Sequence, residues 1–193
     1  MTLPPALPGA RLYTGGVAKR GYTRDTIRGG ASDWDVSRPF SSFLRMLGSL
    51  LVHPVHFFEV LPKIPDVRAP VLFLSFSSVL VALAWLPFGG PYAALVALLA
   101  PLPLSFPLAA LYHFGSLGGR YGYLVTWRIL AYPFGFWLPL SVVPGLRWAA
   151  ALYAGVVLLG VGLSTVREVG RVRAVLVSAA VTGLLVLAAY VMT

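Results

Sequence analysis

The sequence predicts an all-α, polytopic membrane protein with five transmembrane helices. Of its 193 residues, 58% are hydrophobic and only 11% are charged, whereas about a quarter of the residues are charged in typical soluble domains. The mean hydropathy is +0.82. A helical crossing of a bilayer needs about 20 apolar residues, and five windows meet that need: residues 69–86, 91–112, 124–143, 148–166 and 174–191.

These windows divide the chain into three parts. Residues 1–37 form a basic tail rich in Gly and Pro, residues 38–68 form interfacial amphipathic helices, and residues 69–193 form the five-helix transmembrane domain. The tail has too few aliphatic residues to offset the entropy of ordering itself, and it shows no secretory signal pattern. We therefore expect it to stay attached and to be held by a membrane-protein partner.

The distribution of basic residues predicts the orientation. With a cytoplasmic N-terminus, thirteen Lys and Arg residues lie on the inner side and Arg147 alone lies outside. This asymmetry is what the positive-inside rule requires. The sequence therefore predicts an N-in/C-out arrangement.

Three residue types are missing from the chain. It contains no Cys, which excludes disulfides and thiolate metal sites. Asn and Gln are also absent. Such a composition is typical of thermophiles, because these side chains degrade at high temperature; codon bias is the alternative.

Helical periodicity begins ahead of the first window. Six apolar residues fall within an arc of about 120° at 100° per residue, with Arg45 on the opposite side: Phe40, Phe43, Leu44, Leu47, Leu50 and Leu51. This pattern predicts a helix in the cytoplasmic interface, with Arg45 towards anionic lipid. A helix packed on the protein's own bundle fits the pattern equally well.

A short histidine-containing segment follows. His53, His56 and Glu59 have a spacing that could suit a metal, but Pro54 places His53 at a helix start and no further ligand is nearby. We expect no metal site. Phe57 and Phe58 are better interpreted as an aromatic anchor at the membrane interface.

Several short motifs occur in a characteristic order. Pro54, Phe57 and Phe58 form a P-x-x-F-F motif ahead of the first window. They are followed by Gly118–Gly119, by Tyr132 within LAYPF, and by Pro144–Gly145. In this order, and with five windows, residues 53–191 resemble the Yip family of Ypt/Rab-interacting five-span membrane proteins.

The resemblance implies a cytoplasmic N-terminal region and, in eukaryotic members, association with small GTPases and vesicle traffic. Many bacterial members lack an assigned activity, and this short, Lys-poor chain is more similar to them. The expectation is therefore a non-enzymatic scaffold or accessory subunit in a bacterial plasma membrane. It would dock to a larger membrane complex through its tail, with a small GTPase implied only by family analogy.

The chemistry-bearing residues favour no enzymatic activity. All six carboxylates lie outside the five windows, so they cannot form an intramembrane proton relay. The metalloprotease, nucleophile-elbow and Walker motifs are absent, and we expect no catalytic residue and no cofactor. The basic residues are explained by topology and anionic lipid, so no nucleic-acid partner is predicted.

Two arginines are candidates for contacts with lipid or a partner. Arg120 follows Gly118 and Gly119 in a glycine-rich segment that leaves a membrane helix rather than a strand, which indicates a flexible cytoplasmic turn. A lipid-headgroup or partner contact is the alternative. Arg128 lies inside the third window, where it could snorkel, pair with Glu168 or Asp66, or bind a ligand or lipid phosphate.

Prolines and small residues mark the remaining windows. Prolines should bend or interrupt the second and third helices, at Pro101, Pro103, Pro107, Pro133 and Pro139. Such broken helices support an alternative function, a small transporter or channel. Small residues four apart favour close helix packing in the last two windows: Ala151 with Gly155, Gly160 with Ser164, and Ala179 with Gly183.

Overall fold

A computed structural model describes residues 34–35, 37–61 and 67–192 of the chain. Within these residues the protein is all-helical and contains no strand, which confirms the all-α part of the predicted fold class. Nearly all of the predicted tail lies outside the described residues, as do Pro62, Lys63, Pro65 and Asp66.

Seven helical elements follow one another along the described chain. They are α1 (Pro39–Val52), α2 (Pro54–Val60), α3 (Arg68–Leu99), α4 (Pro101–Gly115), α5 (Tyr123–Ser141), α6 (Leu146–Thr165) and α7 (Arg171–Met192). Proline occupies the first turn of α1, α2 and α4, where its missing N–H has no intrahelical partner to lose.

Three of the described helices are long and apolar enough to cross a membrane: Arg68–Leu99, Leu146–Thr165 and Arg171–Val191. The second predicted window is divided between α3 and α4, and α5 corresponds to the third. The protein is therefore a helical membrane protein.

The helical path from Arg68 to Gly115 is interrupted at two places, Gly90 and Ala100. Gly90 has φ +70° and ψ −176°, a conformation that favours glycine, and separates the first window from the second. The break between α3 and α4 falls at Ala100, just before Pro101 and Pro103, which lack N–H donors. By contrast, α5 runs without a break past its two prolines, so interruption of the third helix was wrong.

Helix α5 lies at the centre of the bundle, packing against α3, α4 and α6. Its residues from Val125 to Pro133 are all buried. The indole Nε1 of Trp127 donates to Ser105 Oγ at 2.8 Å, so this buried polar group is satisfied within the core.

One turn of α6 is a π-helix, over Tyr153–Leu158. It carries Gly155 against α7, where a Cβ on Gly155 would overlap Thr182. The predicted close approach therefore occurs at Gly155. At Gly183 an added Cβ would meet nothing within 4 Å, so that predicted contact is absent.

Candidate functional site

Helix α1 has three distinct faces. Its buried face consists of Ser42, Phe43, Met46 and Leu50. The apolar residues of the predicted stripe are split, because Phe40, Leu44 and Leu51 are 50–59% exposed while Phe43 and Leu50 pack inward. Arg45 is exposed. Helix α1 therefore packs on the bundle and leaves a second apolar face uncovered, and its place in the membrane interface stays a prediction.

Aromatic rings and one hydroxyl attach α1 to the bundle. The ring of Phe43 lies 5.2 Å from that of Phe73 and 5.0 Å from that of Phe76. At the other end of α1, Tyr153 donates to the carbonyl oxygens of Leu50 and Leu51, at 3.1 Å each. These carbonyls belong to the last turn of α1, where C=O groups have no hydrogen-bond partner within the helix.

Helix α2 begins at Pro54 and buries both phenylalanines of the P-x-x-F-F motif. Phe57 makes an edge-to-face contact with Tyr132 at 5.0 Å between ring centroids. Phe58 is 1% exposed and packs beside Gly162. The interpretation of these residues as an interfacial anchor was wrong, because their rings fill the space between α2, α5 and α6.

The two short helices pack along the side of the bundle, from Gly162 near the end of α6 to residues farther along α5 and α6. Tyr132 is nine residues from the start of α5, or about 14 Å along the axis. Tyr153 is twelve residues from the end of α6, or about 18 Å. Helix α1 therefore lies alongside the bundle helices, and the chain turns at His53 before α2 begins.

The outer face of this pair carries ionisable groups as well as apolar ones. We define the outer face by its exposed residues Phe40, Leu44, Arg45, Leu51, Val52, His53, Val55, His56 and Glu59. No group of three or more potential metal ligands occurs in the described residues. His53, His56 and Glu59 are instead exposed on the outer face.

A second polar site joins the loops at one end of the bundle. We define the two-loop site as residues 116–122 and 166–173. The backbone N–H of Arg120 donates to the carbonyl of Arg167 at 3.1 Å. The Arg120 side chain forms an ion pair with Glu168 at 2.8 Å, and Glu168 has a left-handed backbone with φ 56°.

Arg167 is buried at the centre of the two-loop site. It is 2% exposed, and its Nη1 donates to Ser116 Oγ, which in turn donates to the Tyr112 carbonyl at 2.6 Å. The Arg167 Nε is buried with no hydrogen-bond partner. Burial lowers the pKa of Arg167 from its usual value, because desolvation disfavours its charged form.

The two glycines of this loop lie beside guanidinium groups. A Cβ on Gly119 would stand 2.9 Å from Arg167 Nε, and one on Gly118 would stand 3.8 Å from Arg173 Nη1. Gly118 also has φ +94°, a conformation that favours glycine. The absence of side chains at these positions therefore lets the backbone lie directly against the cations.

Arg128 and Tyr132 are both buried within the bundle. Arg128 is 2% exposed and Tyr132 is fully buried, so Arg128 does not extend to a protein surface as snorkelling expected. Helix α5 is central, and its residues from Val125 to Pro133 are buried by their neighbours. Asp66, one suggested partner of Arg128, lies outside the described residues.

An apolar cavity of about 330 Å³ lies between α4, α5, α6 and α7. Its wall includes Pro133 and the π-helical Gly155. Tyr112 and Thr182 share a hydrogen bond of 2.9 Å at this wall. The cavity offers no charged side chain to a ligand.

Sequence reasoning brought Gly118, Gly119 and Arg120 together correctly but missed Arg167, Arg173 and Ser116 as their neighbours. Arg167 and Arg173 were interpreted only as topology-setting charges. The local sequence does not show that Arg167 is buried and Arg171 exposed, because this difference arises only when the two loops fold together. Tyr153 and its π-helical turn had no sequence signal either.

Comparison with protein-family models, with curated proteins and with solved structures found no match. The Yip-like motifs therefore stay a resemblance.

Proposed function

We propose that the chain crosses the membrane five times, with its N-terminus and the two-loop site on the cytoplasmic side. The contacts of the two loops support this, because Arg120 and Arg167 share a backbone hydrogen bond and Arg173 lies near Gly118, so basic residues from two of the predicted cytoplasmic segments come together. The non-helical backbone at Gly90 lies between the first two predicted crossings, where the chain would have to reverse. A bacterial plasma membrane is the setting that the sequence resemblance favours.

We further propose that the protein is a non-enzymatic scaffold or accessory subunit of a larger membrane complex, resembling Yip proteins. The observation that carries this proposal is the outer face of α1–α2. It exposes Arg45, His53, His56 and Glu59 beside apolar residues, on helices that pack against the side of the bundle.

Ionisable side chains facing lipid at depth are costly, by about 2.5–3.5 kcal/mol for a charged group at the centre of a helical span. Exposed Arg45 can snorkel, but Glu59 and the imidazole of His53 have a shorter reach. A helix of another membrane protein that presents polar groups would satisfy them. The tail then adds a second attachment on the cytoplasmic side, and a small GTPase remains a partner by analogy alone.

Pull-down of the full tagged chain from its host in a mild detergent, with mass spectrometry, tests this function. A double variant H56L/E59L should lose the co-purified membrane protein, because it removes the polar groups that the partner satisfies. Leu176→Ala, on an exposed position of α7, is the control and should retain it. An unchanged partner yield in H56L/E59L would sink the proposal.

A tail deletion tests the second attachment separately. It should stop at residue 33, because Trp34 is 5% exposed and packs against Phe76 at 6.0 Å. The backbone N–H of Asp35 also donates to Ser42 Oγ at 3.0 Å. We expect the deletion to weaken partner recovery without changing the melting temperature, and full recovery would remove the tail from the docking model.

The apolar cavity supports a second candidate, a small transporter or channel that uses the proline-bearing helices. Pro133 lines the cavity, and the volume lies within the range of about 300–1,000 Å³ typical of ligand sites. Its wall suits an apolar solute rather than an ion. Purified chain in liposomes that moves no apolar fluorescent solute would count against this candidate.

A further inference from the structure

We propose that the two-loop site binds a phosphate group. Arg167, Arg173 and the bare backbone of Gly118–Gly119 form the site. A phospholipid headgroup and dissolved phosphate are the two sources of this chemistry, and the experiment below distinguishes them.

The first observation is the charge at the site. Arg167 and Arg173 converge there on Gly118 and Gly119, and Glu168 is the one carboxylate in residues 116–122 and 166–173. Glu168 forms an ion pair with Arg120. Among the described residues, no carboxylate pairs with Arg167, although Arg167 is 2% exposed. A buried charge without a counter-charge is unfavourable, so an anion would stabilise the folded loops.

The second observation is the unused hydrogen-bonding capacity of Arg167. Its Nη1 donates to Ser116 Oγ, but its Nε is buried without an acceptor. A guanidinium binds phosphate through two parallel N–H groups. The backbone of Gly119 lies beside the Nε edge with no side chain of its own, and glycine permits a small backbone shift that opens this edge.

The third observation is the convergence of two guanidinium groups on neighbouring glycines. Arg167 lies against Gly119, and Arg173 Nη1 lies 3.8 Å from the Cβ position of Gly118. Arg171 has no such contact with either glycine. The site is therefore a built arrangement of two arginines and not simply a basic surface. Basic pockets between membrane helices are suited to phospholipid headgroups.

The experiment follows thermal unfolding of the purified full chain in a neutral detergent, using its tryptophan fluorescence. The three probes are phosphatidylglycerol, phosphatidylcholine and inorganic phosphate. We expect phosphatidylglycerol to raise the melting temperature with saturation, and phosphatidylcholine to raise it less, because its choline cation opposes the arginines.

Two matched pairs of variants test the assignment of residues. Arg173→Gln should weaken the apparent affinity about fivefold, whereas Arg171→Gln, which removes the same charge two residues away, should leave it within about twofold of the native value. Gly119→Ala should also weaken binding, because its Cβ would press on Arg167. Gly122→Ala is its control, since an added Cβ there would meet nothing within 4 Å.

The outcomes separate the sources and can overturn the site. Saturation by phosphatidylglycerol alone, with losses in R173Q and G119A, supports a lipid phosphate. Equal saturation by inorganic phosphate, with the same losses, supports a dissolved phosphate in the same site. Equal losses in R171Q and R173Q, or no saturable effect of either probe, would overturn the proposal. Partner recovery in R173Q should remain normal, which keeps this test separate from that of the docking function.

Discussion

The α1–α2 pair and the two-loop site are attached to the same bundle by opposite kinds of interaction. The pair is attached by rings, with Phe43, Phe57 and Phe58 each buried to 95% or more. The two-loop site is joined by a backbone hydrogen bond, an ion pair and a buried guanidinium. Packing of apolar rings therefore fixes the position of the α1–α2 pair, whereas the two-loop site keeps one unsatisfied hydrogen-bond donor, Arg167 Nε.

This difference has a consequence for solution conditions. Ring packing depends little on salt, whereas exposed charges are screened within about 10 Å at 0.1 M salt. We therefore expect variants of the α1–α2 pair to have large effects that are independent of salt. Variants of the two-loop site should have smaller effects that salt modulates.

The largest effect should come from removing a buried ring of α1. Phe43→Ala should lower the free energy of unfolding by about 3–5 kcal/mol, because it leaves a cavity between Phe73 and Phe76. Phe40→Ala, on the exposed side of the same helix, is the matched control and should change it by less than about 1 kcal/mol. Unfolding in mixed detergent micelles measures both, and equal effects would contradict the assignment of the buried face.

A steric substitution in the bundle should have the next largest effect. Gly155→Ala should destabilise the fold by about 1–3 kcal/mol, because its Cβ would overlap Thr182 across α6 and α7. Gly183→Ala serves as the control, since no atom lies within 4 Å of its Cβ position. The same unfolding assay checks the pair. A tolerated Gly155→Ala would mean that the two helices are farther apart than described.

A hydrogen bond of the α1–α2 pair should contribute less. Tyr153→Phe removes the donor to the Leu50 and Leu51 carbonyls and should cost about 0.5–1.5 kcal/mol. The loss should appear as faster hydrogen exchange in the last turn of α1, with the bundle helices unchanged. Unchanged exchange there would show that Tyr153 does not secure this helix.

The smallest effect should come from the ion pair of the two-loop site. The Arg120 side chain is 71% exposed and that of Glu168 is 36% exposed, so Glu168→Gln should cost less than about 1 kcal/mol. The difference from native protein should shrink as salt rises from 0.05 to 0.5 M, taken as about a threefold change in screening length. A large loss that salt does not alter would place Glu168 in a buried network instead.

The sequence predicts the helical class and the start of α2 because those features depend on local patterns. Apolar windows require helices in lipid, and Pro54 marks a first helical turn. The P-x-x-F-F motif was detectable, but its role was not. Whether Phe57 and Phe58 face lipid or Tyr132 depends on how α2 folds back, and no local pattern encodes that.

The candidate sites show the same limit. Gly118 and Gly119 indicate a turn from their composition alone, whereas the burial of Arg167 depends on segments about fifty residues apart meeting at the backbone bond between Arg120 and Arg167. The π-helical turn at Tyr153–Leu158 has no propensity signal of its own. Its residues Gly155 and Tyr153 make contacts with Thr182 and with α1 that no local pattern encodes.

Labelling of single cysteines in intact cells tests the central claim most directly, that five crossings place the two-loop site on the cytoplasmic side. The chain has no native Cys, and Phe88 and Leu117, which are 82% and 53% exposed, lie just before the break at Gly90 and just after the end of α4. A membrane-impermeant maleimide should label the Phe88→Cys variant in intact cells and the Leu117→Cys variant only after permeabilisation. Labelling of both from outside, or the reverse pattern, would contradict the account.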